Sequence, residues 1–472
     1  MASTSGDAGS QGVGYGLGPM FFLGGVNLVD QIDLNIVRGI LPLLEDEWGL
    51  SDLQLGLLGF VFVFINAIAT IPAGWLADNF RRTRIIGWTM ASWTGLLALS
   101  ATAVNYVNLV FARSVMGIGQ SFDDPASTSL IGDYYPPARR AKAFSLQQIA
   151  LFVGSGLGVG LGGLVGETIG WRWAFVLVGM PGSLLAVLAF RLYEPRRGEI
   201  DLQHAGVPTP TRPNASGEAT AADVGGDGSG YAGRRGIRRR EPLTRFLTRM
   251  CRGLAQELRF IFGIRTMRYI LIGVSALLFT VTGIVFWLTV YHERFSGMSV
   301  SEAAAFTAVI LGVGGGIGTI AGGQISDRFL ARYGPASRIQ IVVWAAITCA
   351  SLFMVSFAIQ TVALRLVAQF IGVAFGAAAV PGLRAAMLDV LPATSRGVGA
   401  SAFSLTSIIF GTALAPPLVG VLSDVTNSLV TAFYIVFPPV ILGLMLLLRA
   451  TKTIVEDAQQ MLNALVARQT AP

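Results

Sequence analysis

Charged side chains sit inside two otherwise apolar stretches of this sequence. Residues 27–42 read NLVDQIDLNIVRGILP and carry Asp30, Asp33 and Arg38; residues 106–125 read YVNLVFARSVMGIGQSFDDP and carry Arg113, Asp123 and Asp124. Carboxylates bind and release protons, and an arginine, charged at any usable pH, pairs with a carboxylate or a phosphate. If these stretches cross a bilayer, each charge costs at least ~2.5–3.5 kcal/mol on insertion scales, so each is a functional candidate by default. Other chemistries lack their parts. The histidines, His204 and His292, and the cysteines, Cys251 and Cys349, form neither a metal cluster nor a disulfide framework, so catalysis is disfavoured and no metal or cofactor is expected.

The elements that hold these residues follow from composition. Of 472 residues, 53% are hydrophobic and 13% charged, with a mean hydropathy of +0.62. A soluble domain carries roughly 25% charged residues, so lipid must replace water around this chain. Apolar runs near 16–42, 51–76, 84–104, 106–133, 141–167, 172–193, 269–292, 301–326, 338–359, 362–391, 397–423 and 428–449 each approach the roughly 20 residues a spanning helix needs. The chain divides into a tail (1–15), a first six-helix bundle (16–196), a linker (197–268), a second six-helix bundle (269–449) and a second tail (450–472). The linker contains a polar, Gly/Pro-rich segment that cannot form a core. It then contains Leu243, Phe246, Leu247, Met250, Leu254 and Leu258 at helical spacing with arginines off that stripe, an interfacial amphipathic helix. The first fifteen residues lack the basic start of a signal peptide, so the first span serves as the insertion signal.

Charge sets the expected orientation. Loops 78–84 and 133–142 are rich in arginine, whereas loop 43–51 holds Glu45, Asp46 and Glu47. Lys/Arg excess marks the cytoplasmic side, which places both termini and the linker inside, in a multi-pass protein of the cell (inner) membrane. The net charge of +7 then reflects topology and contact with anionic lipids, not nucleic acid.

The two halves repeat each other. Gly74-Trp75-Leu76-Ala77-Asp78 recurs as Gly323-Gln324-Ile325-Ser326-Asp327, and Gly49-Leu50-Ser51 as Gly297-Met298-Ser299. Asp133, Pro136 and Arg140 recur at the same spacing as Asp389, Pro392 and Arg396. Asp78, Arg82, Asp133 and Arg140, with Asp327, Arg328, Asp389 and Arg396, are expected to form gate clusters at the cytoplasmic end; plain positive-inside topology is the blander reading. Gly154, Gly158 and Gly162, and again Gly314, Gly318 and Gly322, recur every four residues. Such ladders let backbones approach closely, and they are expected to pack the two halves against each other.

Several of these stretches carry a family resemblance. Gly74–Arg84, GWLADNFRRTR, resembles the loop 2–3 signature of the major facilitator superfamily; Arg113, Gly117 and Gly119 in the fourth span and Gly170–Phe175 resemble two further signatures. More narrowly, Asp33 with Gly39-Ile40-Leu41-Pro42, the stretch Val153–Gly158, Glu194–Gly198, and Ala415–Asp424 resemble the spinster family. Leu34 and Gln120 stand where that family has an arginine and a glutamate. The resemblance implies an all-α fold of twelve transmembrane helices in two pseudo-symmetric six-helix bundles, and proton-linked export of amphiphilic lipids such as lysophospholipids or sphingoid phosphates. It also makes the first and fourth spans neighbours around a cavity. With Pro42 and Tyr106 as the outer ends of those spans, Asp33 and Arg113 lie roughly 13 Å and 10 Å deep, and Asp30 and Gln120 roughly 18 Å and 21 Å. An Asp33–Arg113 pair is therefore expected. Separating it on opening would favour protonation of Asp33 and so link a proton to alternating access; a static buried pair is the alternative. Asp30, or Asp123 or Asp124 in place of the missing glutamate, could carry the proton instead, although Asp124-Pro125 also reads as a helix kink. Arg113, Gln120 and Asp30 are expected to line the substrate cavity, while Arg38, near the outer end, snorkels to the interface. A monomer is expected. A drug exporter and a non-transporting receptor or scaffold remain rival readings.

Overall fold

The repeated Gly-x-Ser tripeptides are helix boundaries. In the computed structural model, which describes residues 16–135, 137–195, 262–334, 336–390 and 403–470, α1 (Gly18–Trp48) stops at Gly49 with φ +61°. Two residues on, the Ser51 hydroxyl accepts from the Gln54 amide and the Gln54 side chain accepts from the Ser51 amide, starting α2 (Asp52–Asn79). Glycine reaches the left-handed region without a Cβ penalty, and the reciprocal capping satisfies two of the free amides at a helix start. The second half repeats the device at Gly297, φ +63°, and Ser299 with Glu302.

The remaining rods of the first half are α3 (Arg82–Ala101), α4 (Tyr106–Gln120), α5 (Asp123–Tyr134), α6 (Pro137–Val165) and α7 (Trp171–Arg191). The fourth pass breaks between α4 and α5 because the Pro125 ring cannot accommodate the carbonyl one turn earlier. The second half comprises α8 (Arg265–Phe286), α9 (Leu288–Ser296), α10 (Val300–Val309), α11 (Gly315–Tyr333), α12 (Ala336–Ala358), α13 (Val362–Val390), α14 (Ala415–Thr426) and α15 (Leu429–Thr470). Single π-helical turns at Gly166–Gly170, Ile310–Gly314 and Ser407–Ala413 join or precede α7, α11 and α14. Among the described residues, nine segments are long and apolar enough to cross a bilayer, and the one spanning Lys142–Arg191 contains both α6 and α7. Adding α3 and the broken α4–α5 rod, each more polar, the rods group into twelve passes.

Apolar side chains cover the outside as well as the inside. Phe21, Trp88, Phe111, Leu184, Trp344 and Ile441 are all exposed, as lipid-facing residues must be. One buried core runs through the first half and continues into the second at the end opposite the linker, through Ile284–Tyr291, Ala304 and Phe433. A second core, including Met267, Val342, Leu383 and Leu447, lies within the second half.

Three expectations change. The outer end of the first pass is Trp48, not Pro42: α1 runs through Pro42 and on to the acidic residues. Arg38 therefore lies ten residues from the helix end, roughly 15 Å in. Residues 450–457 are no separate tail. They continue α15, where Ile454 is fully buried, Thr453 meets the Thr266 hydroxyl at 2.6 Å and Asp457 accepts from the Thr266 amide at 2.9 Å. Asp457 so caps α8, which has no side-chain cap of its own.

The glycine ladders also face differently. A Cβ at Gly154 would sit 2.7 Å from the Leu28 carbonyl oxygen, one at Gly162 would sit 2.5 Å from that of Ile36, and one at Gly158 would collide with that of Ile32, all on α1. Gly314, Gly318 and Gly322 meet Phe370, Ala374 and Ala378 on α13 in the same way. Both ladders pack inside a half. The seam between halves uses a second glycine face of α6: Gly156 against Ala308 and Gly312, Gly160 against Ala308, and Gly163 against Ala304. Two residues advance a helix by about 200°, so the two stripes point in nearly opposite directions.

Candidate functional site

α1, α3 and α4 converge on one carboxylate. Asp33 is 0% exposed and Arg113 2% exposed. Arg113 Nη1 donates to Asp33 Oδ1 at 2.8 Å, while Trp93 Nε1 and Gln120 Nε2 both donate to Oδ2, at 3.2 and 3.1 Å. The guanidinium also lies 4.8 Å above the Phe62 ring, and its Nε is buried without a partner. The close approach of α4 to α2 rests on Gly117, where a Cβ would come within 2.7 Å of the Phe62 carbonyl. Such a cluster binds a single negative charge with one cation and two neutral donors, out of contact with water. Trp93 is a ligand that sequence reasoning misses; an indole inside a span, whose N–H needs a buried partner, is the available signal. Gln120 serves here as a donor to Asp33.

The other acids sit apart. Asp30 is half-buried and accepts from Gln31 Nε2 at 3.2 Å. Asp123 is buried in the first turn of α5 and accepts from the Ser127 hydroxyl at 3.0 Å. The side chains of Asp78, Asp124, Arg140 and Asp389, the whole of Arg396 and the amphipathic stretch 242–259 lie outside the described residues.

A cavity of about 470 Å³ opens between the halves. Its first-half wall is Arg38 from α1 with Gln148, Leu151, Phe152 and Ser155 from one face of α6; the opposite wall is mostly apolar, with Leu277, Leu278, Val281 and Val285 from α8 and Val373 from α13. This corrects the expected lining. Arg113 and Gln120 are enclosed within the first half, Asp30 is not on the wall, and Arg38, placed deeper by the longer α1, is the charged lining residue. Arg38 makes no hydrogen bond or ion pair among the described residues; its guanidinium lies 5.9 Å from the Phe286 ring across the seam.

At the linker end, Arg82 and Asp133 form an ion pair, and Arg82 also binds Glu194 Oε1 at 2.9 Å, the Ser129 hydroxyl at 2.8 Å and the Pro195 carbonyl at 3.0 Å. Glu194 accepts in addition from the Thr83 amide and hydroxyl. Half-burial alone would raise the Glu194 carboxyl, but these hydrogen bonds and the Arg82 charge outweigh it and hold it below the usual carboxylate range. These contacts tie α3, α5 and the exit of α7 together within one half. In the other half Asp327 meets Arg338 at 3.4 Å, and Arg328 is exposed. The bonds described for Arg82, Asp133 and Asp327 thus brace each half and do not join them. Glu194, visible in the Glu-Pro-Arg-Arg exit motif, joins that brace.

The contacts that do join the halves lie at the opposite end. Arg294 of α9 binds Glu45 at 2.6 Å and Asp52 at 2.7 Å. Asp424 of α14 accepts from the Asp52 and Leu53 amides, both at 3.0 Å, so a carboxylate of one half caps the α2 terminus of the other. Glu167 accepts from the Ser301 amide at 2.6 Å. The acid-rich 43–51 loop is the sequence signal for this latch.

Two six-helix halves latched at one end, with a cavity between them and a dry acid–arginine pair inside one of them, have the build of a multi-pass membrane transporter. Residues 23–407 match the Major Facilitator Superfamily, and the chain belongs to it. Its relatives include an uncharacterized transporter, YybO, of Bacillus subtilis (strain 168), 22% identical over 89% of this chain and 91% of that protein. The sphingosine-1-phosphate transporter SPNS2 of Danio rerio is 31% identical, over 37% of this chain and 36% of its own. The crystal structure of a bacterial homolog to the human lysosomal transporter spinster, in an inward-facing and unoccupied conformation, superposes with a TM-score of 0.74 at 19% identity, covering 95% of this chain and 99% of that one. The protein is a transporter of this superfamily related to the spinster proteins.

Proposed function

We propose that this transporter couples proton movement to the export of an amphiphilic lipid by alternating access, with the linker and basic loops on the cytoplasmic side. The observation that carries the reading is the Asp33–Arg113 pair, fully buried inside the first half on the helix that also lines a largely apolar cavity. In the latched conformation the Asp33 carboxyl is shared by Arg113, Trp93 and Gln120. When the latch opens and the helices of the first half shift, loss of any of these donors favours a proton on Asp33. A proton bound in one conformation and released in the other then biases the equilibrium between them, and that is all coupling requires. The apolar second-half wall suits a hydrocarbon chain, in keeping with the relationship to lipid-transporting spinster proteins.

The test is transport of a lysophospholipid in proteoliposomes under an imposed pH gradient. Wild type should respond to the gradient; Asp33→Asn and Arg113→Ala should lose that response while keeping the assembled fold. A flat wild-type response would sink proton coupling, and full gradient-driven transport by both variants would sink the assignment to this pair.

A further inference from the structure

Arg38 is an anomaly the coupling mechanism does not use. It is a guanidinium six residues, roughly 9 Å, inside the apolar part of α1 that ends at Leu44, on the wall of a cavity, without a carboxylate among the described residues. Buried cations are ordinarily neutralised by a partner, and the cost of leaving one unpaired is several kcal/mol. Arg113 shows the contrast: it is enclosed and its charge is already matched by Asp33. Arg38 Nη and Nε atoms face open space, since none is among the buried unsatisfied atoms.

Its surroundings repeat the asymmetry. On the same wall the Ser155 hydroxyl is committed to the Leu151 carbonyl and the Asn35 amide, and Gln148 lies more than ten residues further down α6 than the point where Gly39 packs, so Arg38 is the one charged side chain on the described lining. Across the cavity, α8 and α13 offer mainly aliphatic side chains. A planar, unpaired guanidinium recognises carboxylate or phosphate oxygens. An aliphatic wall opposite recognises a chain.

We propose that Arg38 is the anion subsite of the cavity: the substrate places a carboxylate, phosphate or phosphodiester head on the first half and its hydrocarbon tail on the second. This inference rests on the amphiphile reading above and sharpens it to anionic amphiphiles. It also makes the substrate a bridge between the halves, because head and tail contact different rigid bodies, so occupancy biases their relative position. Arg38 is then a specificity-determining residue, separate from the proton-handling pair.

The test measures binding to the purified full-length protein in neutral detergent, using single-chain lysophosphatidylglycerol, the neutral monoacylglycerol of the same chain length, and galactonate as a water-soluble anion without a tail. Wild type should bind the lysophosphatidylglycerol on the order of tenfold to a hundredfold more tightly than the monoacylglycerol. Arg38→Gln should erase that preference while leaving monoacylglycerol binding unchanged, which also shows that the variant is folded; Arg38→Lys should restore part of it. Equal wild-type binding of charged and neutral lipids would overturn the subsite and leave the amphiphile reading standing. Tight binding of galactonate alone, lost in Arg38→Gln, would keep the subsite and overturn the amphiphile reading. Binding of neither anion, or an undiminished preference in Arg38→Gln, would overturn the subsite.

Discussion

Replacing Asp33 with asparagine removes one charge from a site that holds two. Arg113 would remain 2% exposed with no counter-charge, and its Nε already lacks a partner. The substituted amide keeps a single acceptor oxygen where three donors now converge. Breaking a buried pair from one side costs about 3–5 kcal/mol, so Asp33→Asn should unfold several degrees below wild type in detergent. Adding Arg113→Met removes the stranded cation, fills the volume of the arginine stem and leaves the amide oxygen at position 33 to accept from Trp93 or Gln120. The double variant should return to within about 1–2 kcal/mol of wild type, since an apolar replacement for a buried pair is often neutral. Arg113→Met should thus recover about 2–3 kcal/mol in the Asp33→Asn background although it destabilises when made alone, the sign reversal that marks a coupled pair. The same double variant, stable again, should still be blind to a pH gradient in proteoliposomes. Thermal unfolding and transport thus separate architecture from coupling. An Asp33→Asn variant as stable as wild type would refute the energetic reasoning, and gradient-driven transport by the repaired double variant would refute the coupling role.

The two glycine faces of α6 should respond differently to alanine. Gly158→Ala drives a methyl into the Ile32 carbonyl inside a half and should lower stability by about 1–3 kcal/mol, read by unfolding temperature. Gly156→Ala meets the Ala308 carbonyl at 2.9 Å across the seam and should spare the unfolding temperature while shifting spin-label distances between loops 102–105 and 359–361 toward the unlatched state. Glu194 gives a pH signature. Its carboxyl is held below the usual range, so its contribution to stability is present above about pH 4.3 and is lost as pH falls through the depressed value. Glu194→Gln should destabilise at neutral pH, and the difference from wild type should close in acid.

The Asp33–Arg113 pair is legible in the sequence because depth along a helix depends only on residue count, and opposite charges in lipid must meet. Arg38 is misplaced by the same arithmetic applied from the wrong end. Pro42 looks like a terminus, yet α1 runs through it to Trp48. The glycine ladders are visible, but their direction is not. Residues 154–166 hold glycines on two faces of α6, and periodicity cannot tell which face meets the partner half. Trp93 and Glu194 do not stand out as ligands because a tryptophan in a span and an acid at its exit both have ordinary explanations. The latch has a similar cause: Asp424 reaches the start of α2 from 371 and 372 residues away, a pairing set by topology alone.

The second glycine face of α6 has a mechanical consequence. Where α6 crosses α10 and the π-helical turn after it, Gly156, Gly160 and Gly163 lie against Ala304, Ala308 and Gly312, with Phe152 reaching across just beyond, onto Gly315. Such a surface has few rotamers to rearrange when it slides. Motion there costs contact area in proportion to displacement instead of a series of discrete side-chain jumps. On the other face, α6 is seated against α1 by the ladder that Ile32 and Ile36 occupy, so it belongs to the body that carries Asp33 and Arg113. The helix is built like an axle: seated by close backbone contact on one side, smooth on the other, with the cavity along its flank.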